Sequence, residues 1–357
     1  MKPTFHSLTI REITRETEDA VSIAFDVPES LHDQFHYLPG QYLTLRSEIN
    51  GEDVRRSYSL CSAPFEKEWR VAIKEVPQGR FSTFANRELK KGMELDVMTP
   101  AGGFVLDADE KASNHYVLFA AGSGITPILS IAKTALHEEP NSTVSLFYGN
   151  KGFSSIIFRE EIEALKNLYM DRLRLVHVLS RESIGNKLQK GRIDAEKVDQ
   201  LYKAFLQGID IDAVYVCGPE QMILDVKDRM IANGVNEKNV HFELFTSPSA
   251  AKKAPIAKPT NAPKVESNVT IIIDDEHIGL NLSSNGENIL DAGHAAGADL
   301  PFACKGGVCC TCKAKILEGS ASMDVNYALE PDEVDAGYIL TCQAHPTSDK
   351  LVVSFDD

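Results

Sequence analysis

The chain has 357 residues, a length typical of two or three domains, and a net charge of −15. Because nucleic-acid binding depends on basic side chains that contact phosphates, this acidic balance argues against a nucleic-acid partner. No apolar run approaches the ~20 residues of a membrane helix, and the first residues contain no apolar signal core. We therefore expect a cytoplasmic protein with no membrane partner.

Residues 1–108 have the pattern of a small antiparallel β-barrel. The region contains four short runs of alternating hydrophobicity, at 7–13, 21–27, 41–46 and 69–75, and the pattern is broken at Pro28, Pro39-Gly40, Asn50-Gly51 and 77–79. A helix is predicted over residues 83–89.

Within this region, Arg56-Ser57-Tyr58-Ser59 has the R-x-Y-S pattern of the ferredoxin–NADP reductase superfamily, whose flavin-binding barrel it resembles. The resemblance implies that Arg56 neutralises a cofactor phosphate, that Tyr58 covers one face of the isoalloxazine ring and that Ser59 hydrogen-bonds flavin N5. Lys74 lies where family members run a strand beside the ribityl chain, so it joins the cofactor-binding set. By themselves, these residues fit an edge strand with a surface arginine equally well.

A second segment points to the same cofactor. Gly79-Arg80-Phe81-Ser82-Thr83 opens the predicted helix, where free amides and two hydroxyls can hold a pyrophosphate. By resemblance this segment favours FAD over FMN, because only FAD contains a pyrophosphate.

Residues 109–247 alternate strands with helices, which predicts a parallel sheet with helices on both faces. The strands are expected at 115–121, 144–148, 173–179 and 213–217, and the helices from 126 and at 160–167, 195–205 and 220–233.

A glycine-rich segment follows the first of these strands. Gly122-Ser123-Gly124 lets the backbone approach a diphosphate, Thr126 opens the next helix, and Pro127 suits its first turn. A proline replaces the third glycine of an ordinary dinucleotide-binding motif, and no acidic residue ends the next strand. Both departures fit the G-x-G-x-x-P motif of the reductase superfamily.

The end of this domain supplies the remaining candidates. By resemblance, Cys217-Gly218-Pro219 closes a strand beside the nicotinamide, and Glu243 and Phe245 approach the same place. The alternatives are a core cysteine, a surface glutamate and a core phenylalanine. The predicted catalytic set consists of Ser59, Cys217 and Glu243.

The choice of nicotinamide depends on residues after the strand at 173–179. Ser180 and Arg181 lie where related enzymes hold the 2′-phosphate of NADPH, and Lys187 can add charge. An enzyme specific for NADH more often places a carboxylate there, and Glu182 is close by. We therefore predict NADPH, with NADH possible.

Residues 248–267 contain four prolines, four lysines and no aromatic residue, which is typical of an extended interdomain linker. The alternative is a long surface loop within one domain. After it, residues 268–357 begin with a predicted strand at 269–273, a turn at 274–275 and a helix at 288–296.

Four cysteines of this last region have the spacing C-x4-C-x2-C followed by a distant cysteine: Cys304, Cys309, Cys312 and Cys342. This is the plant-type spacing for a 2Fe-2S cluster held by four thiolates. A structural zinc site is the alternative, but such sites usually pair two C-x2-C knuckles. Cys310 is interpreted as a small packed residue.

The region from 268 to 357 resembles a plant-type ferredoxin domain, which implies an α+β fold of the β-grasp type. From Val269 onward it contains 15 acidic residues, four lysines and no arginine. Such a surface attracts a basic docking face.

The order of the three domains predicts a path for electrons from NADPH through FAD to the 2Fe-2S cluster and then to an acceptor protein. Nearly the whole chain resembles the reductase components of phenylacetyl-coenzyme A epoxidases, as in the segments 79–104 and 323–342. In that family the acceptor is a diiron oxygenase that acts in aromatic catabolism. Steroid or ring hydroxylases, hybrid-cluster proteins and small-molecule acceptors remain alternatives, as does a non-catalytic redox-sensing adaptor.

Overall fold

The structure, a computed structural model, describes residues 4–182, 185–245, 265–329 and 331–356. Phe5–Phe245 form one unit, and the C-terminal region forms another. Residues 248–264 of the predicted linker lie outside the described residues. A strand begins at Glu266, so the last two residues of the predicted linker, Glu266 and Ser267, belong to that strand. In the described part of the chain, every helix is too short or too polar to cross a bilayer.

The first part of the larger unit is a six-stranded antiparallel sheet in the order β4-β3-β6-β1-β2-β5. A bridge between Leu60 and Val71 joins its two outer strands, so the sheet closes on itself as a barrel. Its interior holds large apolar side chains, including Phe25, Phe35 and Phe81. The strands are β1 (Phe5–Thr17), β2 (Ala20–Asp26), β3 (Tyr42–Ile49), β4 (Glu52–Ser59), β5 (Trp69–Lys74) and β6 (Glu94–Met98).

Two details of the barrel differ from the sequence prediction. The helix α1 (Arg80–Arg87) begins three residues before the predicted start at 83, because the chain already turns at Gly79. At Gly79 a β-carbon would lie 2.4 Å from the Ser82 hydroxyl oxygen, so the close turn requires glycine. Strands β4 and β6 were not among the predicted strands, because both begin with charged, exposed residues.

The second part is a parallel sheet, as predicted; it has five strands in the order β11-β10-β7-β8-β9, and the edge strand β11 was not among the four predicted strands. Parallel strands place their carboxyl ends at one edge, where nucleotides bind in such folds. The first helix begins at Ile125, one residue earlier than predicted. The elements are β7 (His115–Ala121), α2 (Ile125–Glu138), β8 (Thr143–Asn150), α3 (Arg159–Leu168), β9 (Leu173–Leu179), α4 (Ala195–Phe205), β10 (Ala213–Gly218), α5 (Glu220–Ala232) and β11 (Val240–Leu244).

The C-terminal unit has a five-stranded mixed sheet, β13-β12-β18-β14-β16, and a two-stranded sheet, β15-β17. The predicted turn has Asp274 and Asp275 in the left-handed region, and their amides donate to the Asp356 carboxylate. The Asn288 side chain caps the following helix. The elements are β12 (Glu266–Ile273), β13 (Glu276–Ser283), α6 (Ile289–Ala295), β14 (Lys313–Glu318), β15 (Ala321–Met323), α7 (Pro331–Asp335), β16 (Tyr338–Leu340), β17 (Ala344–Pro346) and β18 (Lys350–Ser354).

Candidate functional site

The R-x-Y-S motif lies on strand β4, where side chains alternate between the two faces of the sheet. Arg56 and Tyr58 therefore share one face, and Ser57 and Ser59 share the other. Ser57 shares a hydrogen bond of 3.1 Å with Thr44 on the neighbouring strand. The arginine is half-buried, and its guanidinium donates to the preceding carbonyl oxygen at 2.6 Å. The motif thus offers a cation and an aromatic ring side by side.

Tyr58 is supported from behind by Phe81. The two ring centroids lie 5.7 Å apart at a tilt of 40°, an arrangement that stabilises aromatic pairs. Burial raises the pKa of the tyrosine hydroxyl far above its ordinary value, although Arg56 acts in the opposite direction, so the ring stays neutral. The Phe81 side chain lies in the barrel core, which leaves its backbone amide for the predicted phosphate seat.

The start of helix α1 is closely tied to the loop before it. Ser82 Oγ accepts from the Val76 amide at 3.2 Å, and Thr83 Oγ1 donates to the Glu75 carboxylate at 3.2 Å. Arg80 forms an ion pair with Glu52. The two hydroxyls therefore hold the loop, and the helix amides are the groups best placed to meet an anion.

A cavity of about 360 Å³ opens beside this helix start. Gly79, Arg80 and Thr83 line it together with residues of the β3–β4 turn, including Asn50. Lys74 is engaged elsewhere, because its ammonium lies 3.5 Å from the Asp19 carboxylate.

In the parallel sheet, Gly122–Gly124 form a short 3₁₀ turn that leads into α2. Gly122 has a φ of +56°, and a β-carbon on Gly124 would lie 2.2 Å from the Cys217 carbonyl oxygen. Both positions therefore require glycine. Thr126 Oγ1 donates to the Ser123 carbonyl at 3.0 Å, which secures the turn. Pro127 lies in the first turn of the helix, as predicted.

Tyr148 also holds this turn, and the sequence analysis did not identify it. Its buried hydroxyl donates to the Gly122 carbonyl at 3.0 Å. In the sequence this tyrosine is one more apolar residue of a buried strand. Only the juxtaposition of β8 with the end of β7 gives its hydroxyl a role.

Ser59, Cys217 and Glu243 meet in space although 184 residues separate the first from the last. Ser59 Oγ donates to Glu243 Oε2 at 3.0 Å, and Cys217 is the register partner of Glu243 on the adjacent parallel strand. The structure thus brings the predicted catalytic set together.

The ionisation of these groups follows from their surroundings. Burial raises the pKa of the Glu243 carboxyl to about 8, while the Ser59 hydrogen bond acts in the opposite direction. Burial, together with the charge on Glu243, raises the pKa of the Cys217 thiol well above its ordinary value. At neutral pH the site therefore holds a protonated carboxyl and a neutral thiol.

The neighbours of this set differ in exposure. Gly218 is buried, and a β-carbon there would lie 2.5 Å from the Met222 side chain. Pro219 directly precedes helix α5. Phe245 follows strand β11 and is 41% exposed, so its ring has a free surface.

The predicted phosphate-binding residues follow strand β9. The Ser180 amide donates to the Asn150 carbonyl at 2.9 Å, which fixes the backbone at this point. Arg181 is exposed, and within the described residues its guanidinium makes no hydrogen bond or ion pair. The Glu182 carboxylate accepts from the Phe153 amide at 3.0 Å. Lys187, six positions further along the chain than Arg181, is also exposed.

The four predicted cluster ligands of the C-terminal unit are all buried: Cys304, Cys309, Cys312 and Cys342. They form two pairs. The sulfurs of Cys304 and Cys309 are 3.1 Å apart, and the thiols of Cys312 and Cys342 are in hydrogen-bond contact. Among the described residues, no three or more His, Cys, Asp or Glu side chains surround one position for a single metal ion. Two adjacent pairs of thiols suit two iron atoms better than one tetrahedral zinc.

Backbone amides surround these sulfurs. The Gly306 amide donates to Cys304 Sγ at 3.3 Å. The Cys309 thiol, together with neighbouring amides, lowers the pKa of Cys304 to about 6. Amide donors of this kind are what the sulfurs of an iron–sulfur centre require, so the residues fit a 2Fe-2S cluster. Cys310 donates instead to the Ala328 carbonyl at 3.3 Å.

Three family models match successive parts of the chain. They describe an oxidoreductase FAD-binding domain at residues 7–106, an oxidoreductase NAD-binding domain at 118–228 and a 2Fe-2S iron-sulfur cluster binding domain at 273–347.

Curated relatives match along the whole chain. One subunit of 1,2-phenylacetyl-CoA epoxidase from Escherichia coli (strain K12) is 42% identical over 353 residues, covering 99% of this chain and 98% of the relative. The ferredoxin reductase component of 3-ketosteroid-9-alpha-monooxygenase from Rhodococcus rhodochrous is 36% identical, covering 98% of this chain and 96% of the relative.

Two solved structures share the fold. Phthalate dioxygenase reductase has a TM-score of 0.58 and 23% identity, and the match covers 98% of both chains. An intact type IV self-sufficient cytochrome P450 monooxygenase has a TM-score of 0.72 and 21% identity, with 98% of this chain and 41% of that chain covered. The chain therefore belongs to the family of ferredoxin reductase-type oxidoreductase components with FAD-binding, NAD-binding and 2Fe-2S domains, and it is close to the matching subunit of phenylacetyl-CoA epoxidase.

Proposed function

We propose that this reductase oxidises NADPH and delivers the electrons to the diiron oxygenase component of a phenylacetyl-CoA epoxidase, in the cytoplasm. The observation that carries the redox part is the meeting of Ser59, Cys217 and Glu243 in a chain that also holds four paired cysteine thiols. The identity of 42% to the epoxidase subunit supports the choice of acceptor. When bound, FAD accepts two electrons from a nicotinamide and releases them one at a time to an iron–sulfur centre.

The barrel residues have a binding role in this proposal. Arg56 neutralises a phosphate of FAD, and Tyr58, backed by Phe81, covers one face of the ring system. The amides at the start of α1 hold the pyrophosphate beside the cavity at Gly79. Lys74 is the weakest member of the set, because Asp19 already pairs with it.

Ser59, Cys217 and Glu243 orient the two rings and exclude water between them. The hydrogen bond to Glu243 fixes the position of the Ser59 hydroxyl at the end of strand β4. Below pH about 8 the Glu243 carboxyl holds a proton, so no negative charge faces the electron-rich nicotinamide. The exposed ring of Phe245 supplies an apolar surface at the same place.

Arg181 and Ser180 favour NADPH in this proposal. The guanidinium of Arg181 is exposed and able to form a bidentate contact with a 2′-phosphate. A carboxylate at this place would favour NADH, and Glu182 is the nearby candidate. Its carboxylate accepts a hydrogen bond from the Phe153 amide. Its charge is thereby directed toward the loop that follows strand β8.

The cluster ligands of the proposal are Cys304, Cys309, Cys312 and Cys342. A steroid monooxygenase is the second candidate acceptor, because the reductase component from Rhodococcus rhodochrous is 36% identical.

Anaerobic titration tests the internal electron path. We expect flavin and iron–sulfur absorbance to bleach together, and faster with NADPH than with NADH. A faster reaction with NADH would remove only the cofactor preference. Absence of either absorbance from a fully loaded preparation would refute the electron-transfer function.

Reconstitution with purified oxygenase components tests the acceptor. We expect NADPH-dependent epoxidation of phenylacetyl-CoA with the epoxidase component and little turnover with a steroid 9α-hydroxylase component. The reverse ratio would transfer the assignment to the steroid enzyme.

A further inference from the structure

The barrel and the parallel sheet of Phe5–Phe245 meet along one face of helix α2. Three residues of that helix, Ser130, Lys133 and His137, are spaced three and four apart and so point the same way. Ser130 Oγ donates to the Ser62 carbonyl at 2.6 Å. The His137 ring stacks on Phe65, with centroids 3.9 Å apart and planes at 20°. We call this contact the α2 seam.

Lys133 is the charged residue at the centre of the α2 seam. Only 8% of its side chain is exposed, and its ammonium lies 3.1 Å from a carboxylate oxygen of Glu66, on the barrel side. On the other side it forms an ion pair with Glu161, at the start of α3. Burial lowers the pKa of this ammonium, but the two carboxylates raise it further, so it stays charged. A buried charge persists only when it is paired in this way.

The same helix carries the nucleotide-binding turn at its other end. Lys133 lies nine residues beyond Gly124, about 13 Å along a rigid helix. Gly124 in turn touches the carbonyl of Cys217, the neighbour of Glu243. A shift of α2 on the barrel therefore moves both the turn and the end of β10 relative to Ser59.

We infer that Lys133 and Glu66 are positioning residues, whose contact across the α2 seam sets the alignment of the nicotinamide with the flavin. This inference rests on the proposed reductase function. It does not depend on which nicotinamide is the donor or on which protein is the acceptor. Reaction rates are sensitive to such alignment, because a displacement of ~1 Å can cost ~100-fold. Substrate affinity depends on the turn itself and is expected to change little.

The two carboxylate partners of Lys133 provide a matched pair of variants. Glu66→Gln weakens the contact with the barrel, while the Gln oxygen still accepts from the Ala63 amide as Glu66 does at 2.6 Å. Glu161→Gln weakens the contact within the sheet domain and leaves the contact between Lys133 and Glu66, and it also removes the charge repulsion between Glu161 and Glu16 of the barrel. Both variants remove one negative charge beside the same ammonium, but only Glu66→Gln weakens the ion pair that crosses the α2 seam.

The test is anaerobic stopped-flow reduction of the flavin in the full chain, with whichever of NADPH and NADH reduces the wild type faster, together with hydrogen exchange of segments 60–68 and 126–137. We expect Glu66→Gln to slow flavin reduction about tenfold, with Kd for that nucleotide changed less than threefold. Exchange should rise in both segments. Glu161→Gln should keep the wild-type rate within about twofold. Lys133→Met should resemble Glu66→Gln, and Lys133→Arg should recover most of the rate.

Equal effects of Glu66→Gln and Glu161→Gln would overturn the inference, because Lys133 would then act through charge balance alone. A wild-type rate in Glu66→Gln would overturn it as well. If Lys133→Met does not fold, the two Gln variants still decide. If the wild-type flavin is reduced by neither NADPH nor NADH, the proposed function fails, and the exchange difference still reports whether Glu66 holds the seam.

Discussion

Glu243 is a carboxyl that the fold keeps protonated at neutral pH. Burial raises its pKa to about 8 from an ordinary value of 4.5. Between these two values the folded chain binds more protons at this residue than the unfolded chain does. The contribution of Glu243 to the free energy of unfolding therefore falls as pH rises from about 5 to 8.

Replacing Glu243 with Gln removes this titration. We expect the stability of Glu243→Gln, relative to wild type, to increase from pH 5 to pH 8 by an amount on the order of a few kcal/mol. Thermal unfolding across this pH range measures it, with Glu160→Gln on the exposed start of α3 as control. Parallel curves for wild type and Glu243→Gln would contradict the assignment.

The Tyr148 hydroxyl lies 3.0 Å from the Gly122 carbonyl oxygen and 3.4 Å from that of Ile157, so it supports the glycine turn. Tyr148→Phe removes the donor to the Gly122 carbonyl and keeps the buried ring. Since one such bond contributes ~0.5–1.5 kcal/mol, we expect Kd for NADPH to rise about 3–10-fold. The limiting rate of flavin reduction should stay unchanged. Tyr202→Phe, which removes a hydroxyl elsewhere in the same domain, should leave Kd unaltered; an equal rise there would point to general loosening of the domain.

Arg181 tests the choice of nicotinamide. Arg181→Gln should raise KM for NADPH about tenfold, the size expected for loss of a charge-assisted contact, and leave KM for NADH within about twofold. Steady-state assays with both nucleotides measure the difference. The exposed Arg159→Gln serves as the control. A similar rise for both nucleotides would mean that Arg181 does not discriminate between them.

At the scale of elements, the cysteine loop depends on the segment 324–329 that lies against it. Gly307 has a φ of +73°, its carbonyl accepts from the Tyr327 amide at 2.9 Å, and a β-carbon on it would lie 3.0 Å from the Val325 carbonyl oxygen. Gly297 has a φ of +93° but has open space around it.

These two glycines separate backbone strain from loop contact. Gly297→Ala should cost about 1 kcal/mol of stability and keep the cluster. Gly307→Ala should lose at least half of the bound iron as well, because the loop must move away from the segment. Iron and acid-labile sulfide per chain, with visible circular dichroism, give the answer. Full iron content in Gly307→Ala would show that the loop tolerates the added methyl group.

Prediction from sequence succeeded where the signal is local. The strand His115–Ala121 and the helix Ala195–Phe205 match their predicted bounds, because apolar periodicity and flanking turns mark them. The cysteine spacing likewise lies within one short loop apart from its last member. The start of α1 was placed too late, since a glycine turn rather than a side-chain cap begins it.

Sequence reasoning missed the contacts that only folding creates. Glu66 and Lys133 are 67 positions apart and look like ordinary surface charges. Nothing in either local pattern shows that a helix of one domain will bury the lysine against a turn of another. The hydroxyl of Tyr148 was missed for the same reason.

At the scale of the whole molecule, the reductase part and the cysteine-bearing part are separate units. Cys342→Ser should therefore abolish delivery of electrons to the acceptor protein and leave flavin reduction by NADPH within about twofold of wild type. Stopped-flow flavin reduction and oxygenase turnover measure the two steps. Cys310→Ser, which keeps all four predicted ligands, should preserve both. Loss of flavin reduction in Cys342→Ser would show that the two units depend on each other.

The strand order β11-β10-β7-β8-β9 also bears on how this chain can change over evolution. Glu243, which accepts a hydrogen bond from Ser59, lies on the edge strand β11, and Arg181 follows β9, the strand at the opposite edge. Under the proposed role of Arg181, mutations that change the choice of nucleotide can accumulate at the β9 edge without disturbing the contact between Ser59 and Glu243. Natural selection or protein engineering can then change the preferred nucleotide while Ser59, Cys217 and Glu243 stay the same.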